Sequence, residues 1–251
     1  MNNVKNNNIY FLIGTLVILI LWQSIGALTN NSIILPKIDE VLVSLVTLLI
    51  TKSTYIIIFN TVLRLLITTI ISFVISLILA CLSLISNKLY HFIKPFIILI
   101  KTIPIATIII LLLMAFGQEV SPYIICSFVI IPIMYEGIFT SINLIDKNII
   151  DEVKTISNLN YDVFKLVFIP LSSPYIIATI IQSLGLGLKV MVMAEVISQP
   201  RDTIGYQIAL ERIYLQTANI FSWTIILIVF VIAVEFFIRR INKRIHYMAQ
   251  Y

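Results

Sequence analysis

The sequence predicts an all-α integral membrane protein with about six transmembrane helices. Two features of its composition lead to this fold class. The 251 residues are 60% hydrophobic and only 12% charged, whereas soluble domains contain about 45–50% apolar and about 25% charged residues. Their mean hydropathy is +1.06. In addition, long apolar windows with few charges recur along the chain, and a helix of about 20 residues is enough to cross a bilayer.

This composition excludes a cytosolic enzyme, a disordered chain and a secreted disulfide scaffold, because a compact domain in water would lack the polar surface to cover its core. The two cysteines, Cys81 and Cys126, lie in separate apolar stretches and form no cluster with the two histidines. We therefore expect buried thiols rather than a metal site or a disulfide. The net charge of +5 is attributed to the cations of membrane loops rather than to nucleic acid binding.

Charged residues and prolines set the boundaries of the spans. Arg64 precedes the second window, while Lys101 and Glu136 lie inside the third and fourth. Pro170 and Pro174 interrupt the start of the fifth window, so this span is placed after them. The first window is longer than the core of a signal peptide, which argues against cleavage. The six predicted spans are 9–28, 65–87, 92–116, 122–144, 175–197 and 221–241.

The distribution of basic residues predicts the orientation, because cytoplasmic loops of membrane proteins carry an excess of Lys and Arg. With the N-terminus in the cytoplasm, ten basic residues fall on the inner side and four on the outer side. We therefore expect one membrane domain over 1–251 with both termini inside. Apolar residues at helical spacing also predict a helix over 38–50 at the outer surface.

The loop between the fourth and fifth spans, 146–169, is the largest on the cytoplasmic side. Apolar residues in its first half recur at helical spacing, and charged residues lie between them. A turn follows, and then a second short helix stopped by a proline. Two such helices fit either a surface that a soluble partner binds or a pair lying on the headgroups. The apolar face consists of Ile149, Ile150, Val153 and Ile156, and the charged residues are Asp151, Glu152 and Lys154.

This loop resembles the EAA loop of ABC-transporter inner-membrane permeases, in which an acid, two alanines and a glycine precede a basic-apolar stretch that closes on Leu-Pro. Asp151 stands at the acid, Ser157 at the glycine and Pro170 at the proline, whereas Glu152 and Val153 replace the alanines. Other segments resemble, in order, the nitrate/sulfonate/taurine-type branch of these permeases. They are 35–36, 60–64, 101–106, 116–117, 131–133, 185–188, 194–197 and 205–206.

The resemblance implies a type I ABC importer (MetI-like) permease fold and a non-catalytic transmembrane subunit in a bacterial plasma membrane. In such importers two permeases form the pore, a cytoplasmic ATPase docks on the EAA loop, and an extracellular binding protein delivers the solute. The chain has no Gly-x4-Gly-Lys-Ser/Thr phosphate loop, so ATP and Mg²⁺ belong to the ATPase and no cofactor is expected here. The residues assigned to coupling are Ile149, Ile150, Asp151, Glu152, Val153, Lys154, Ile156, Ser157 and Pro170.

Charged residues inside the spans are candidates for the translocation path, because a charge at the bilayer centre costs about 2.5–3.5 kcal/mol unless it faces protein or water. Lys189 either lines the path, where it attracts an anion, or forms an ion pair with Glu136. Glu195 is six residues from Lys189 and therefore on another face of the helix. Glu235 is expected to pair with Arg239 at i,i+4.

Small residues in the fifth span add two further path candidates, Gly185 and Gly187. The pattern Ser183-x3-Gly187 lets two helices approach closely. This suits a helix at the pore or at the dimer interface, although such patterns also arise by chance in apolar helices.

The branch resemblance suggests a small anion as the substrate, such as a sulfonate, taurine or nitrate. A thiamine-precursor pyrimidine or another small organic nutrient is the alternative. An integral membrane enzyme would need clustered Asp, His or Cys residues, but the twelve acids and two histidines are scattered. A third possibility is a vitamin-uptake component that is coupled to an ATPase. The matches at 101–104 and 194–197 to the permease family argue against it. A homodimer and a heterodimer both stay open.

Overall fold

The computed structural model describes residues 2–29, 31–146, 149, 167 and 169–248, and these ranges are almost entirely helical. Short connections join the helices, and the segment between the fifth and sixth lies mostly outside the described residues. The helices are α1 (Asn2–Thr29), α2 (Ile38–Ile50), α3 (Lys52–Ile85), α4 (Asn87–Thr102), α5 (Ile105–Asn143), α6 (Ile169–Ser198), α7 (Ile204–Ile213) and α8 (Thr217–Met248).

The long helices bury polar side chains and expose apolar ones. On α3 the hydroxyl residues Thr61, Ser72 and Ser76 are fully buried, whereas Ile70 and Ile78 are 62% and 56% exposed. An amphipathic helix in water does the reverse, since its apolar stripe faces the core. In hydrocarbon, small and hydroxyl side chains instead lie between helices while aliphatic ones face the lipid. The surface of α3 is therefore that of a helix in a membrane.

Four helical segments among the described residues are long and apolar enough to cross a bilayer, namely 52–85, 105–143, 169–198 and 217–237. The all-α membrane class is thus confirmed, whereas the count of about six spans is not. In the first predicted span the described apolar helix, Ile13–Thr29, is shorter than these four. The helix predicted over 38–50 forms with these bounds, as α2.

In the structure, the region of the third and fourth predicted spans is interrupted at two places, Pro104 and Gly117. Pro104, which has no N–H to donate, separates α4 from α5. Within α5, Gly117 has a φ of +74° and is not helical. Ile109 and Ile125, which flank Gly117 at equal sequence distance, lie in one packed cluster. The chain therefore bends sharply at Gly117, and α5 consists of two arms that meet there. These arms are 105–116 and 118–143.

Two helices begin earlier than the spans that are predicted within them. The helix that contains the second predicted span starts at Lys52 and continues through Arg64. The Arg64 guanidinium tolerates this position by pairing with the Glu119 carboxylate of α5. The helix that contains the fifth predicted span starts at Ile169 and includes Pro170 and Pro174. Pro170 lies in the first turn, where N–H groups have no helical partner, and a later proline removes one hydrogen bond without ending the helix.

The core lies between α3, the second arm of α5, and α6, and Gly187 of α6 lies at its centre. A Cβ atom built on Gly187 would lie 2.7 Å from Ile130 Cδ1 and 3.1 Å from Leu65 Cδ1. The Cys126 thiol donates a hydrogen bond of 3.3 Å to the Gly187 carbonyl. Ser183 is fully buried as well. The small residues of α6 therefore pack within the chain, against α3 and α5.

Two ends of the helix bundle are distinguished by their hydrogen bonds. At the α7 end, the Asn60 side chain donates to the Asp202 carbonyl at 3.0 Å. At the opposite end, here called the loop end, the hydroxyls of Ser83 and Tyr135 are 2.9 Å apart. The segment between α5 and α6 attaches at the loop end. The bundle thus places the end of α5 and the start of α6 on the side of the membrane region opposite to helix α7.

We expect Gly187→Ala to destabilise the protein by about 1–3 kcal/mol, because an added methyl group overpacks the contact with Ile130 and Leu65. Gly185→Ala is the matched control, since the nearest atom to its new Cβ is Glu235 Oε1 at 3.9 Å. Thermal unfolding in detergent should show a lower midpoint for the first variant and an equal or higher midpoint for the second. Equal midpoints for Gly187→Ala and the unmodified protein would contradict the close approach.

Candidate functional site

Glu195, a residue predicted for the translocation path, is fully buried near the end of α6. Its Oε2 atom accepts hydrogen bonds from Thr61 Oγ1 of α3 at 3.0 Å and from the Gly205 N–H of α7 at 3.2 Å. Thr61 Oγ1 in turn accepts the Ile204 N–H at 3.0 Å. One carboxylate therefore joins three helices at the α7 end.

The start of α7 explains why a carboxylate lies there. The first N–H groups of a helix have no partner inside it and carry a partial positive charge. The Thr203 side chain caps α7 by accepting the Tyr206 N–H at 3.2 Å, while Thr61 and Glu195 take the Ile204 and Gly205 N–H groups. A Cβ on Gly205 would also lie only 2.6 Å from the Val196 nitrogen, so glycine permits this approach.

The connection from α6 to α7 is a tight turn held from both sides. Gln199 and Asp202 have φ values of +55° each, a conformation that costs energy for residues with side chains. The Gln199 N–H donates to the Glu195 carbonyl at 2.8 Å, and the Asp202 carbonyl accepts the bond from Asn60. Glu195 therefore positions this turn. Its second carboxylate oxygen, Oε1, is buried without a hydrogen-bond partner among the described residues.

Glu195 is predicted from the sequence as a path residue, whereas Thr61 has no predicted role. The sequence did contain a signal for this contact. Thr61, Glu195 and Gly205 each lie in a segment that resembles the permease family, namely 60–64, 194–197 and 205–206. The segments lie far apart in the sequence, and only the fold shows that they meet at one carboxylate.

Lys189 lies apart from Glu195 and is exposed on α6. The ion pair between Lys189 and Glu136 does not form, since both Glu136 oxygens accept hydrogen bonds from Lys101 Nζ, at 2.8 and 2.7 Å. Lys189 instead lines a groove between α6 and α8 that is otherwise largely apolar. The other residues of this groove are Leu188, Val192, Thr224, Leu227, Ile228, Val231 and Ile232.

Gly185 lies in a second groove, which is formed by α3, α6 and α8 and also contains Glu235. Gly185 thus faces α8, whereas Gly187 faces α3 and α5. The partner predicted for Glu235 is Arg239, whose side chain lies outside the described residues. The structure therefore separates the five predicted path residues. Glu195 lies at the α7 turn, Glu136 at α4, Lys189 and Gly185 in two grooves, and Gly187 in the core.

The predicted coupling segment from Ile150 to Ser157 lies outside the described residues. Its neighbours are described: Ile149 lines a groove between the end of α5 and the start of α6, and Pro170 is exposed in the first turn of α6. The two ends of the loop therefore lie beside each other at the loop end.

Comparison with known proteins places these features in a family. A family model described as "Binding-protein-dependent transport system inner membrane component" matches residues 72–247. This range extends from the middle of α3 almost to the end of α8. The chain belongs to this family. It is therefore a multi-pass membrane protein and a non-catalytic permease subunit of a type I ABC importer, and family membership implies an ATPase and a substrate-binding protein as partners.

One solved structure supports the fold of this permease. It is described as "Crystal structure of an amino acid ABC transporter with histidines" and matches with a TM-score of 0.59 and 16% identity, over 77% of this chain and 91% of that chain. At this identity the similarity concerns the fold alone. No curated protein sequence matches the chain. The predictions of a permease and of a non-enzyme are confirmed, whereas the nitrate/sulfonate/taurine branch stays a prediction.

We expect Glu195→Ala to loosen the start of α7, because the buried Gly205 N–H and Thr61 hydroxyl would lose their acceptor. An unsatisfied buried group costs about 1–3 kcal/mol. Glu195→Gln is the control, since its amide oxygen still accepts both bonds. Hydrogen exchange of a peptide spanning 199–206 should be faster in the first variant than in the second. Equal protection in Glu195→Ala and the unmodified protein would show that this carboxylate does not hold α7.

Proposed function

We propose that the chain forms, with a second copy, the pore of an ATP-driven importer of a small anionic solute in a bacterial plasma membrane. The anionic character of the solute is inferred from Lys189, which is exposed and lies inside the apolar helix α6. A cation facing lipid at mid-membrane costs about 2.5–3.5 kcal/mol, whereas one facing a water-filled path does not. A lysine on such a path attracts anions.

The branch resemblance supports a sulfonate, taurine or nitrate as this anion, with a thiamine-precursor pyrimidine or another small organic nutrient as the alternative. An amino acid is a further candidate, because the structure that shares this fold is described as an amino acid transporter. The carboxylate of an amino acid is also a group that Lys189 would attract. Uptake measurements with these compounds distinguish the candidates.

We assign coupling to the loop 146–169, with the apolar and charged residues from Ile149 to Ser157 as the surface that the ATPase binds. Two observations support this assignment. The family match includes the whole loop, and the loop connects directly to α5 and α6, which contribute most of the core. A displacement of the loop would therefore be passed to the packed helices α5 and α6.

The same assignment fixes the orientation. If the loop end faces the cytoplasm, the α7 end faces outward and both termini lie inside, in agreement with the excess of basic residues on the inner side. The external binding protein then docks at the α7 end, where Arg201, Arg212 and Tyr214 are exposed.

We expect the ATPase to co-purify with the permease in mild detergent, and the double variant Asp151→Lys/Glu152→Lys to abolish this. Reversing two charges on the docking surface places like charges against the partner, which costs binding energy. Asp39→Lys is the control, because Asp39 is an exposed acid in α2 at the α7 end. Mass spectrometry of the purified material gives the readout. Retention of the ATPase by the double variant would contradict the assigned docking surface.

We expect Lys189→Met to lower uptake of the anion by about tenfold, the effect of losing one charge-assisted contact, whereas Lys189→Arg retains it. Uptake of taurine, nitrate and histidine is measured in proteoliposomes with the co-purified ATPase and its binding protein. Co-purification of the ATPase with Lys189→Met checks that the complex is intact. Unchanged uptake by Lys189→Met would remove the argument for an anionic substrate at this residue.

A further inference from the structure

An ion pair links α4 to the second arm of α5, and one of its members, Lys101, has no role assigned so far. Lys101 Nζ donates to both carboxylate oxygens of Glu136, at 2.7 and 2.8 Å. The two side chains are 45% and 49% exposed, so protein covers only half of each charge. Both residues lie within apolar sequence, with Ile97–Ile100 before Lys101 and Ile130–Met134 before Glu136.

The pair lies beside an interruption of the helix. Ile103 and Pro104 have extended backbone, with ψ values of 128° and 124°. Because Pro104 has no N–H, the Ile100 carbonyl loses the partner it would have in a continuous helix. Residues 101–104 are all exposed. One face of the chain therefore presents two half-covered charges and irregular backbone together.

This face lies within the membrane region, toward the loop end. Glu136 precedes the end of α5 by seven residues, which is about 10 Å of helix. The neighbouring Tyr135 contacts Ser83, close to the end of α3. Exposed aliphatic side chains lie near the pair along the chain, with Leu99 before Lys101 and Leu144 after Glu136, toward the loop end. The ion pair is therefore inside the apolar zone rather than beyond it.

Hydrocarbon cannot solvate such a face. Irregular backbone is tolerated at membrane depth only where it is buried in protein or lines a water-filled cavity. Ionic side chains obey the same rule. None of the residues that the structure describes covers the exposed half of either charge or the interruption, so water or another part of the assembly must do so.

We propose that Lys101, Glu136 and the interruption at 103–104 line the water-filled translocation path near its cytoplasmic end, and that Lys101 contacts the anionic group of the solute there. This inference rests on the proposed function. Glu136 neutralises Lys101 while the path is empty. An ammonium group has three donors, and Glu136 takes two of them, so one donor remains for the oxygen of a sulfonate, nitrate or carboxylate.

The geometry also separates the roles of the two charges. Lys101 lies in the last turn of α4, where a cation is favoured by the helix dipole. Glu136 alone would repel an anion. The pair therefore holds a cation on the path without leaving the empty path strongly positive.

Water access is tested first by cysteine labelling of the permease–ATPase complex in inside-out vesicles. The native Cys81 and Cys126 are replaced by serine, and Thr102→Cys is introduced, because Thr102 is exposed beside the ion pair and leaves it intact. Ile71→Cys is the control, at an α3 residue that is 50% exposed on the aliphatic face. The thiolate, which forms in water, attacks the divalent sulfur of a thiosulfonate reagent, so that a disulfide forms and a sulfinate leaves. We expect Thr102→Cys to react at least about tenfold faster than Ile71→Cys.

The charge at this place is tested by comparing two reagents, an anionic ethylsulfonate and a cationic ethyltrimethylammonium thiosulfonate. The first carries the anionic group of the proposed solute. In the Thr102→Cys protein, Glu136→Gln should raise the anionic-to-cationic rate ratio, and Lys101→Gln should lower it, by about tenfold each for one charge at short range. A ratio that neither variant changes would overturn the role of Lys101.

The outcomes separate this inference from the proposed function. Equal labelling of Thr102→Cys and Ile71→Cys, in a complex that retains its ATPase, would mean that lipid or another chain covers the face, and would overturn the inference alone. Failure of the unmodified permease to bind any ATPase would instead count against the proposed function. Thermal unfolding of Glu136→Gln and Lys101→Gln verifies that both variants are folded.

Discussion

The structure depends on one constraint: hydrocarbon offers no hydrogen-bond partners, so polar groups of the protein must find their partners within the protein. Within the helices, the backbone satisfies itself. Between helices, hydroxyl groups do so, as when Ser76 of α3 donates to the Ile131 carbonyl of α5 at 2.9 Å. Where a helix starts inside the bundle, Thr61 and Glu195 supply the missing acceptors. Each polar residue buried in this way also fixes the position of a neighbouring helix, because an unmade bond costs more in hydrocarbon than in water.

The same constraint determines what the sequence alone could predict. The helix at 38–50 follows from local spacing and was found with its bounds. The start of α3 was missed because Arg64 was interpreted as a boundary. Its partner, Glu119, is 55 residues away, and no local pattern indicates a contact over such a distance. Pro104 was visible in the sequence, but whether a proline ends a helix or only bends it depends on what surrounds it.

The candidate site was predicted in part for the same reason. Charge inside an apolar window identified Glu195, Glu136 and Lys189 as unusual, and each of them has a distinct position in the fold. Their partners are non-local: Thr61 is 134 residues from Glu195, and Lys101 is 35 residues from Glu136. Composition therefore indicates which residues need a partner, while the packing of α3, α5 and α6 decides which partner each receives.

Helix α6 connects the two ends of the molecule. It runs without interruption from Ile169, beside the loop, to Ser198, beside the α7 turn. Gly187 brings its middle against both α3 and α5. A helix that is packed this tightly along its length moves together with its neighbours. The turn that Glu195 holds is therefore mechanically part of the same unit as the start of α6, where the segment proposed for coupling is attached.

The length of α3 has a consequence for the surrounding lipid. Its 34 residues span about 51 Å, while the hydrocarbon of a typical bilayer is about 30 Å thick. Aliphatic side chains are exposed along almost all of α3, so the helix reduces the mismatch by tilting or by thickening the lipid around it. Both responses depend on acyl-chain length. The inclination of α3, and with it the height of the Thr61 hydroxyl above the bilayer midplane, is therefore set partly by the membrane in which the permease resides.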